Sequence, residues 1–137
     1  MNDIVKLSIS EARTSLTSGD ITALELTKEF IKAAKSSGTL NAYCEISEEL
    51  ALLQAKEADR LLRSKAALPL TGIPVGIKDI FCTKGVKAQA ASNILRNFMP
   101  TYESTVTEKL WSAGAIMLGK LNMDEFAMGS SNETSAY

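Results

Sequence analysis

The chain has 137 residues, 45% hydrophobic and 23% charged, which suits one globular domain or part of a larger one. Its formal net charge of -1 supplies no basic footprint for direct nucleic-acid binding. It contains no histidine, so neither a Ser-His-Asp nor a Cys-His nor a His-rich zinc site can be completed within it. Any acid–base chemistry falls to lysine or a carboxylate.

No stretch approaches the roughly 20 apolar residues of a membrane span. Met1-Asn2-Asp3-Ile4 lacks the basic and apolar regions of a signal peptide. Cys44 and Cys82 match no CxxC or metal spacing and read as reduced, partly buried thiols, which implies a cytoplasmic protein.

In chain order, Ser8-Ile9-Ser10-Glu11 is a capping box that opens a short helix ending near Ser18-Gly19. Thr22-Ala23-Leu24-Glu25 opens a longer one, with Leu26, Phe30, Ile31 and Ala34 on its apolar side and Ser37-Gly38 at its end. Lys28, Lys32 and Lys35 form its solvated face. Asn41–Ile46 is a short strand or extended link. Ser47 then caps a helix through Ala51, Leu52, Ala55, Ala58 and Leu62, with Glu48 and Glu49 at its positive end.

Gly72-Ile73-Pro74-Val75-Gly76-Ile77-Lys78-Asp79 reads as a short buried strand ending in a lysine. Burial would lower that lysine's pKa and place a potential general base in a protein wall. The plainer reading is that Lys78 caps the strand and snorkels to water. A carboxylate paired with Lys78 would oppose a basic role, so Asp79 is expected to cap a backbone turn. A turn at Thr83-Lys84-Gly85 follows.

A third capping box, Thr105-Val106-Thr107-Glu108, opens a helix over 104–113 that stops at Gly114. Ala115–Leu118 is a second apolar strand, so strand, helix and strand form a βαβ-like unit with parallel neighbours. The segment from Gly119 onward is rich in turn formers and lies past a strand's carboxyl end, where open α/β sheets place ligands. Lys120 is expected to reach out to Asp124 or Glu125. Met123, Phe126 and Met128 read as core packing in preference to a substrate box. Tyr137 follows this loop with no closing element, so the chain reads as a fragment of something longer.

Two stretches together, Gly72–Asp79 and Gly114–Ser131, resemble the amidase signature family. The run Asn122-Met123-Asp124-Glu125-Phe126-Ala127-Met128-Gly129-Ser130-Ser131-Asn132-Glu133-Thr134-Ser135 is most similar to the branch formed by the A subunits of aspartyl/glutamyl-tRNA amidotransferases. The helices before them and Leu40-Asn41-Ala42-Tyr43 fit as well, so the resemblance covers essentially the whole chain. It implies an α/β fold, the N-terminal part of a single amidase domain over 1–137, with a mixed β-sheet covered by helices on both sides.

The resemblance also implies a Ser–cis-Ser–Lys site in which Lys78 is the base, acting through a bridging serine on a second serine that attacks an amide. Both serines are expected beyond Tyr137. Ser130, Ser131 and Ser135 are set aside as nucleophiles, and Met128, Gly129, Ser130 and Ser131 are expected to line the substrate pocket. One departure stands out: after Gly85 the family usually shows a threonine pair, whereas this chain reads Val86-Lys87-Ala88-Gln89-Ala90-Ala91-Ser92. That puts in doubt any polar contact those hydroxyls make near the lysine.

The implied function is glutamine hydrolysis. Ammonia would pass to the B subunit of the amidotransferase, which would use ATP and Mg to amidate Glu or Asp on a misacylated tRNA. The C subunit would brace the heterotrimer. No cofactor is expected on this segment and no membrane partner. A free-standing small-amide hydrolase is the alternative of the same family. A non-catalytic remnant or interaction segment is the alternative of another class, because a base without a nucleophile performs no acyl transfer. The 137 residues alone are expected to be inactive, and to expose apolar surface and associate.

Overall fold

The computed structural model describes residues 3–137. The reading of Met1–Ile4 therefore falls partly on Met1 and Asn2, outside the described residues. The described residues form four α-helices and three strands: α1 (Ile9–Ser18), α2 (Ala23–Ser36), β1 (Tyr43–Ile46), α3 (Glu48–Arg63), β2 (Pro74–Lys78), α4 (Thr105–Ser112) and β3 (Ile116–Leu121).

The first two helix starts are set locally. Ser8 and Thr22 each accept the N–H three residues on, and Glu11 and Glu25 reach back to the cap amides at 2.8 and 2.9 Å. These bonds hold both glutamates below the usual carboxylate range. Gly19 closes α1 at φ 83°, a conformation that carries a steric cost for residues with a Cβ. The start of α2 has a second anchor from far away in sequence. The Asp59 carboxylate on α3 accepts the N–H groups of Ala23 at 2.7 Å and Leu24 at 3.2 Å, which pins α3 to the positive end of α2.

Two expected caps differ. Ser47 precedes α3, but its hydroxyl makes no capping bond and has no hydrogen-bond partner. Its amide donates to the Leu118 carbonyl at 2.9 Å and its carbonyl accepts the Ala51 amide at 2.9 Å, so the residue links sheet to helix through its backbone alone. The cap of α4 is Ser104, one residue before the predicted Thr105, and Glu108 does not complete a box. The Cys82 carbonyl accounts for the shift: it accepts from the Ser104 amide at 2.8 Å and from the Thr107 hydroxyl at 3.1 Å, and so fixes where the helix begins.

The sheet is mixed, in the order β1-β3-β2. β3 runs parallel to β2, with α4 as the crossover, and antiparallel to β1. On one face, Ile116 and Leu118 meet Leu16 of α1, Leu26 and Ile31 of α2, and Ala51, Ala55 and Ala58 of α3. On the other, Met117 and Ile77 meet Val86 and the half-buried Leu110 and Trp111 of α4. Burying a side chain such as Ile116 contributes about 1.5–3 kcal/mol.

An extra residue interrupts this alternation. Val75 is opposite Met117, but Gly76 is opposite Gly119, so Leu118 is a bulge. Its neighbours are satisfied from α3 and its approach: the Met117 amide donates to Gln54 Oε1 at 2.8 Å, and the Leu118 carbonyl accepts from Ser47. One inserted residue turns the following side chains to the opposite face. Lys120 is thereby directed inward toward Phe81 and Thr83.

β1 crosses β3 so closely that a Cβ on Gly119 would lie 2.2 Å from the Glu45 carbonyl oxygen and 2.9 Å from Ile46 Cα. Both obstacles are backbone and cannot rotate away. Gly85, at φ 74°, has open space around it. Gly119→Ala is therefore expected to destabilise the fold by about 2–3 kcal/mol and Gly85→Ala by about 1 kcal/mol. Equal midpoints for the two in urea unfolding would contradict the close crossing.

Ile94, Phe98, Met99, Tyr102 and Val106 are all exposed on the stretch between β2 and β3. The chain by itself is expected to self-associate through such surface. A sedimentation profile that stays monomeric on concentration would contradict this.

Candidate active site

The carboxyl ends of β2 and β3 face a layer built from 79–92 and 122–137. Lys78 closes β2 and is exposed, so the protein wall expected around it is not formed by these residues. The physical reason is the sheet order: β2 is paired on one side only, and Lys78 extends past Ile77, the last buried residue of the strand. Its carbonyl accepts from the Phe81 amide at 3.1 Å and closes a tight turn.

Asp79, the next residue, is 0% exposed. Its carboxylate accepts the amides of Gln89 at 3.3 Å and Ala91 at 2.9 Å, the backbone-capping role expected of it. The clamp draws Val86–Ser92 against the strand. Val86, Ala88, Ala90 and Ala91 are all buried there, so apolar packing and the Asp79 clamp seat this segment. Ala90 and Ala91 both sit at φ 50°, in the left-handed region.

The turn-rich loop is tied to the same segment. The Phe126 amide donates to the Ala90 carbonyl at 3.0 Å, and the Ala136 amide to the Ala91 carbonyl at 2.9 Å. Ser92 Oγ donates to Glu125 at 2.5 Å. The path Asp79–Ala91–Ala136 thus joins the Lys78 turn to the loop that carries Met128, Gly129, Ser130 and Ser131. Those four residues are exposed on the loop, and none of their hydroxyls is bonded to Lys78. Met128 is 73% exposed, against its expected place in the core, whereas Met123 is buried.

Asp124 shapes this loop. It is 5% exposed and accepts the amides of Ser131 at 3.0 Å, Asn132 at 3.0 Å and Thr134 at 3.2 Å, plus the Thr134 hydroxyl at 3.0 Å. These bonds, that from Asn132 foremost, hold its carboxyl below the usual range. Gly129 lies against the carboxylate, and a Cβ there would come within 2.3 Å of Asp124 Cγ. Gly129 has thus a packing reason of its own. Ser135 is also engaged, donating to Asn122 Oδ1 at 2.6 Å.

The buried lysine of the site is Lys120, which does not reach Asp124 or Glu125 as expected. Its Nζ donates to the Phe81 carbonyl at 2.5 Å and to Thr83 Oγ1 at 3.3 Å. Burial pushes its pKa down, against the opposing pull of Asp79, Cys82 and Glu103. The Leu118 bulge placed it there, and a strand read as regularly alternating gives no sign of one. Asp124 was missed for a related reason: its partners follow it by seven to ten residues, through a loop with no periodic signal. Cys44 and Cys82 are free thiols, and burial raises that of Cys44 to about 11. Among the described residues no group of His, Cys, Asp and Glu is placed to hold a metal ion.

A lysine at a strand's carboxyl end, beside an anchored glycine- and serine-containing loop, is accompanied by a direct family match. The amidase family model matches residues 25–137, and the chain belongs to that family. The A subunit of glutamyl-tRNA(Gln) amidotransferase from Ruegeria sp. (strain TM1040) is 56% identical over 137 residues, covering 100% of this chain and 28% of that protein. The protein of the same name from Anaplasma marginale (strain Florida) is 57% identical over 136 residues, covering 98% of this chain and 28% of that one. The chain thus spans little more than a quarter of the length of these relatives. Native peptide amidase from Stenotrophomonas maltophilia superposes with a TM-score of 0.84 at 28% identity, over 93% of this chain and 27% of the amidase.

The Asp124 geometry has a pH consequence. Because its native pKa lies below the unfolded value, its stabilisation is full above the unfolded carboxylate pKa and is lost as pH falls through the native value. Asp124→Asn would turn an amide N–H₂ toward backbone donors. Exchange of the Ser131, Asn132 and Thr134 amides is expected to quicken about tenfold at neutral pH, with α2 unchanged. Unchanged exchange at these amides would show that the carboxylate does not hold the loop.

Proposed function

We propose that this chain is the N-terminal part of the glutamine-hydrolysing A subunit of a tRNA-dependent amidotransferase. The observation that carries the reading is the agreement with relatives of that name at 54–58% identity across 96–100% of the chain. The geometry supports it: Lys78 lies in a turn tied by hydrogen bonds to the loop bearing Met128–Ser131.

In the complete protein, Lys78 would take a proton through a bridging serine, and a second serine would attack the side-chain amide of glutamine. Both serines would come from residues following Tyr137. Closing the exposed side of β2 with that part of the protein would exclude water from Lys78 and strengthen its electrostatic interactions. Gly129, Ser130 and Ser131, with Met128 beside them, would line the glutamine pocket on the loop that Asp124 holds. Ammonia would pass to the B subunit, where ATP and Mg would serve the conversion of Glu-tRNA(Gln) or Asp-tRNA(Asn). The C subunit would be the brace and the cytoplasm the location. The near-neutral charge of this segment suits a division of labour in which the partner holds the tRNA.

The free-standing amidase reading draws on the peptide amidase likeness, but at half the sequence identity of the amidotransferase relatives. The 137-residue chain alone is expected to release no ammonia from glutamine. Mixed with the downstream part of the protein, it is expected to do so, and Lys78→Ala is expected to lower that rate by about a thousandfold or more. An active mixture indifferent to Lys78→Ala would refute the role of Lys78. Hydrolysis of simple amides without hydrolysis of glutamine would favour the free-standing amidase.

A further inference from the structure

Lys120 is buried and takes no part in the reaction proposed above. At 1% exposure it is the largest so fully enclosed side chain among the described residues. Removing an amine from water is unfavourable unless its hydrogen bonds are replaced. No carboxylate lies within ion-pair distance of Lys120 among the described residues. Its partners are the Phe81 carbonyl at 2.5 Å and Thr83 Oγ1 at 3.3 Å. Both belong to the loop that leaves Lys78.

The bonding of Phe81 is informative. Its N–H closes the turn onto the Lys78 carbonyl at 3.1 Å, while its own carbonyl is held by Lys120. The rest of the loop has other anchors. The Cys82 carbonyl is held by Ser104 and Thr107, and the Lys84 amide donates to Glu103 at 3.1 Å. Among the described residues the only other donor to the Phe81 carbonyl is the Thr83 hydroxyl at 3.4 Å, a weak bond. Without Lys120 the loop beyond Cys82 would keep its place, and the Lys78–Phe81 turn would lose its fixed end. The parallel register sets Lys120 opposite Ile77 and Leu121 opposite Lys78, so the tether comes from the strand that already fixes the β2 backbone.

We propose that Lys120 is a positioning residue for Lys78: through the Phe81 carbonyl and the Thr83 hydroxyl it fixes the Lys78–Phe81 turn, and with it the direction in which the Lys78 side chain leaves the sheet. The proposal rests on the reading of Lys78 as the base. It assigns Lys120 no contact with substrate. Misplacing a reacting group costs rate far more than it costs binding, so the loss belongs in kcat.

The test uses the full-length protein that carries this segment, as wild type and as Lys120→Met, which keeps an unbranched side chain one atom shorter and removes its donors. Hydrogen exchange over 78–83 and glutamine hydrolysis are both measured. Exchange of the Phe81 amide is expected to quicken about tenfold with α2 and α3 unchanged, kcat to fall about tenfold, and KM to stay within about twofold. A folded Lys120→Met protein with unaltered Phe81 exchange, or with faster exchange and an unaltered kcat, overturns the proposal. So does loosening spread equally over α2 and α3, which would mark a general structural role. If Lys120→Met does not fold, Thr83→Val removes one of the two acceptors: a kcat lowered about threefold with faster Phe81 exchange supports the proposal, and no change overturns it. A wild-type protein that releases no ammonia from glutamine would defeat the functional reading, while the exchange measurement would still decide whether Lys120 holds the turn.

Discussion

A backbone N–H or C=O that leaves water must find another partner, and where strands end there is no ladder to supply one. At the carboxyl end of β2 and β3 the partners are three charged side chains. Asp79 takes the amides of 89 and 91, Lys120 takes the carbonyl of 81, and Asp124 takes the amides of 131, 132 and 134. All three are buried. Each converts a stretch of irregular chain into a surface of fixed shape. An apolar side chain of similar size could fill the same volume, but it would leave those backbone groups unsatisfied. The arrangement of the site follows from that constraint more than from the apolar core, which lies mainly between the helices and the middle of the sheet.

What the sequence made legible was local. Ser8 with Glu11 and Thr22 with Glu25 each complete a box across three residues, so pattern alone finds them. The parallel pair β2 and β3 was legible as well, because two apolar runs separated by a capped helix leave few other topologies. Ser47 and Thr105 look like caps in the same local terms, yet Ser47 serves the Leu118 carbonyl and the start of α4 is set by the Cys82 carbonyl. Asp59 at the start of α2 and Gln54 on the Met117 amide act across 36 and 63 residues. No window of the sequence contains both partners of either bond.

The two lysines show how one residue of register decides a chemical reading. On a regular strand Lys120 would follow Ile116 and Leu118 onto the face covered by α1, α2 and α3. The bulge at Leu118 turns it to the opposite face, where it finds the turn after β2. The burial that the sequence suggested for Lys78 is realised at Lys120, while Lys78 stays exposed. Position at the strand end carries the proposed role of Lys78, and burial with bonds to Phe81 and Thr83 carries the one proposed for Lys120.

The layer over the sheet also carries strain in one place. Ala90, Ala91, Phe126 and Ala127 have φ values of 50°, 50°, 52° and 59°, each costing about 1 kcal/mol or more for a residue with a Cβ. The two pairs are bonded to each other, since the Phe126 amide donates to the Ala90 carbonyl. Asp79 holds one pair from below through the Ala91 amide, and Asp124 lies just before the other. Unconstrained, either segment would relax toward ordinary backbone, and the Ala90–Phe126 bond would open. Strain of this kind persists only when surrounding bonds over-determine it, and here those bonds are the Asp79 carboxylate on the Ala91 amide and the Asp124 backbone carbonyl, which accepts the Ala127 amide at 2.9 Å. The segment clamped by the residue after Lys78 and the loop that follows β3 are therefore joined through backbone that neither would adopt alone, with the Phe126–Ala90 and Ala136–Ala91 bonds as the links.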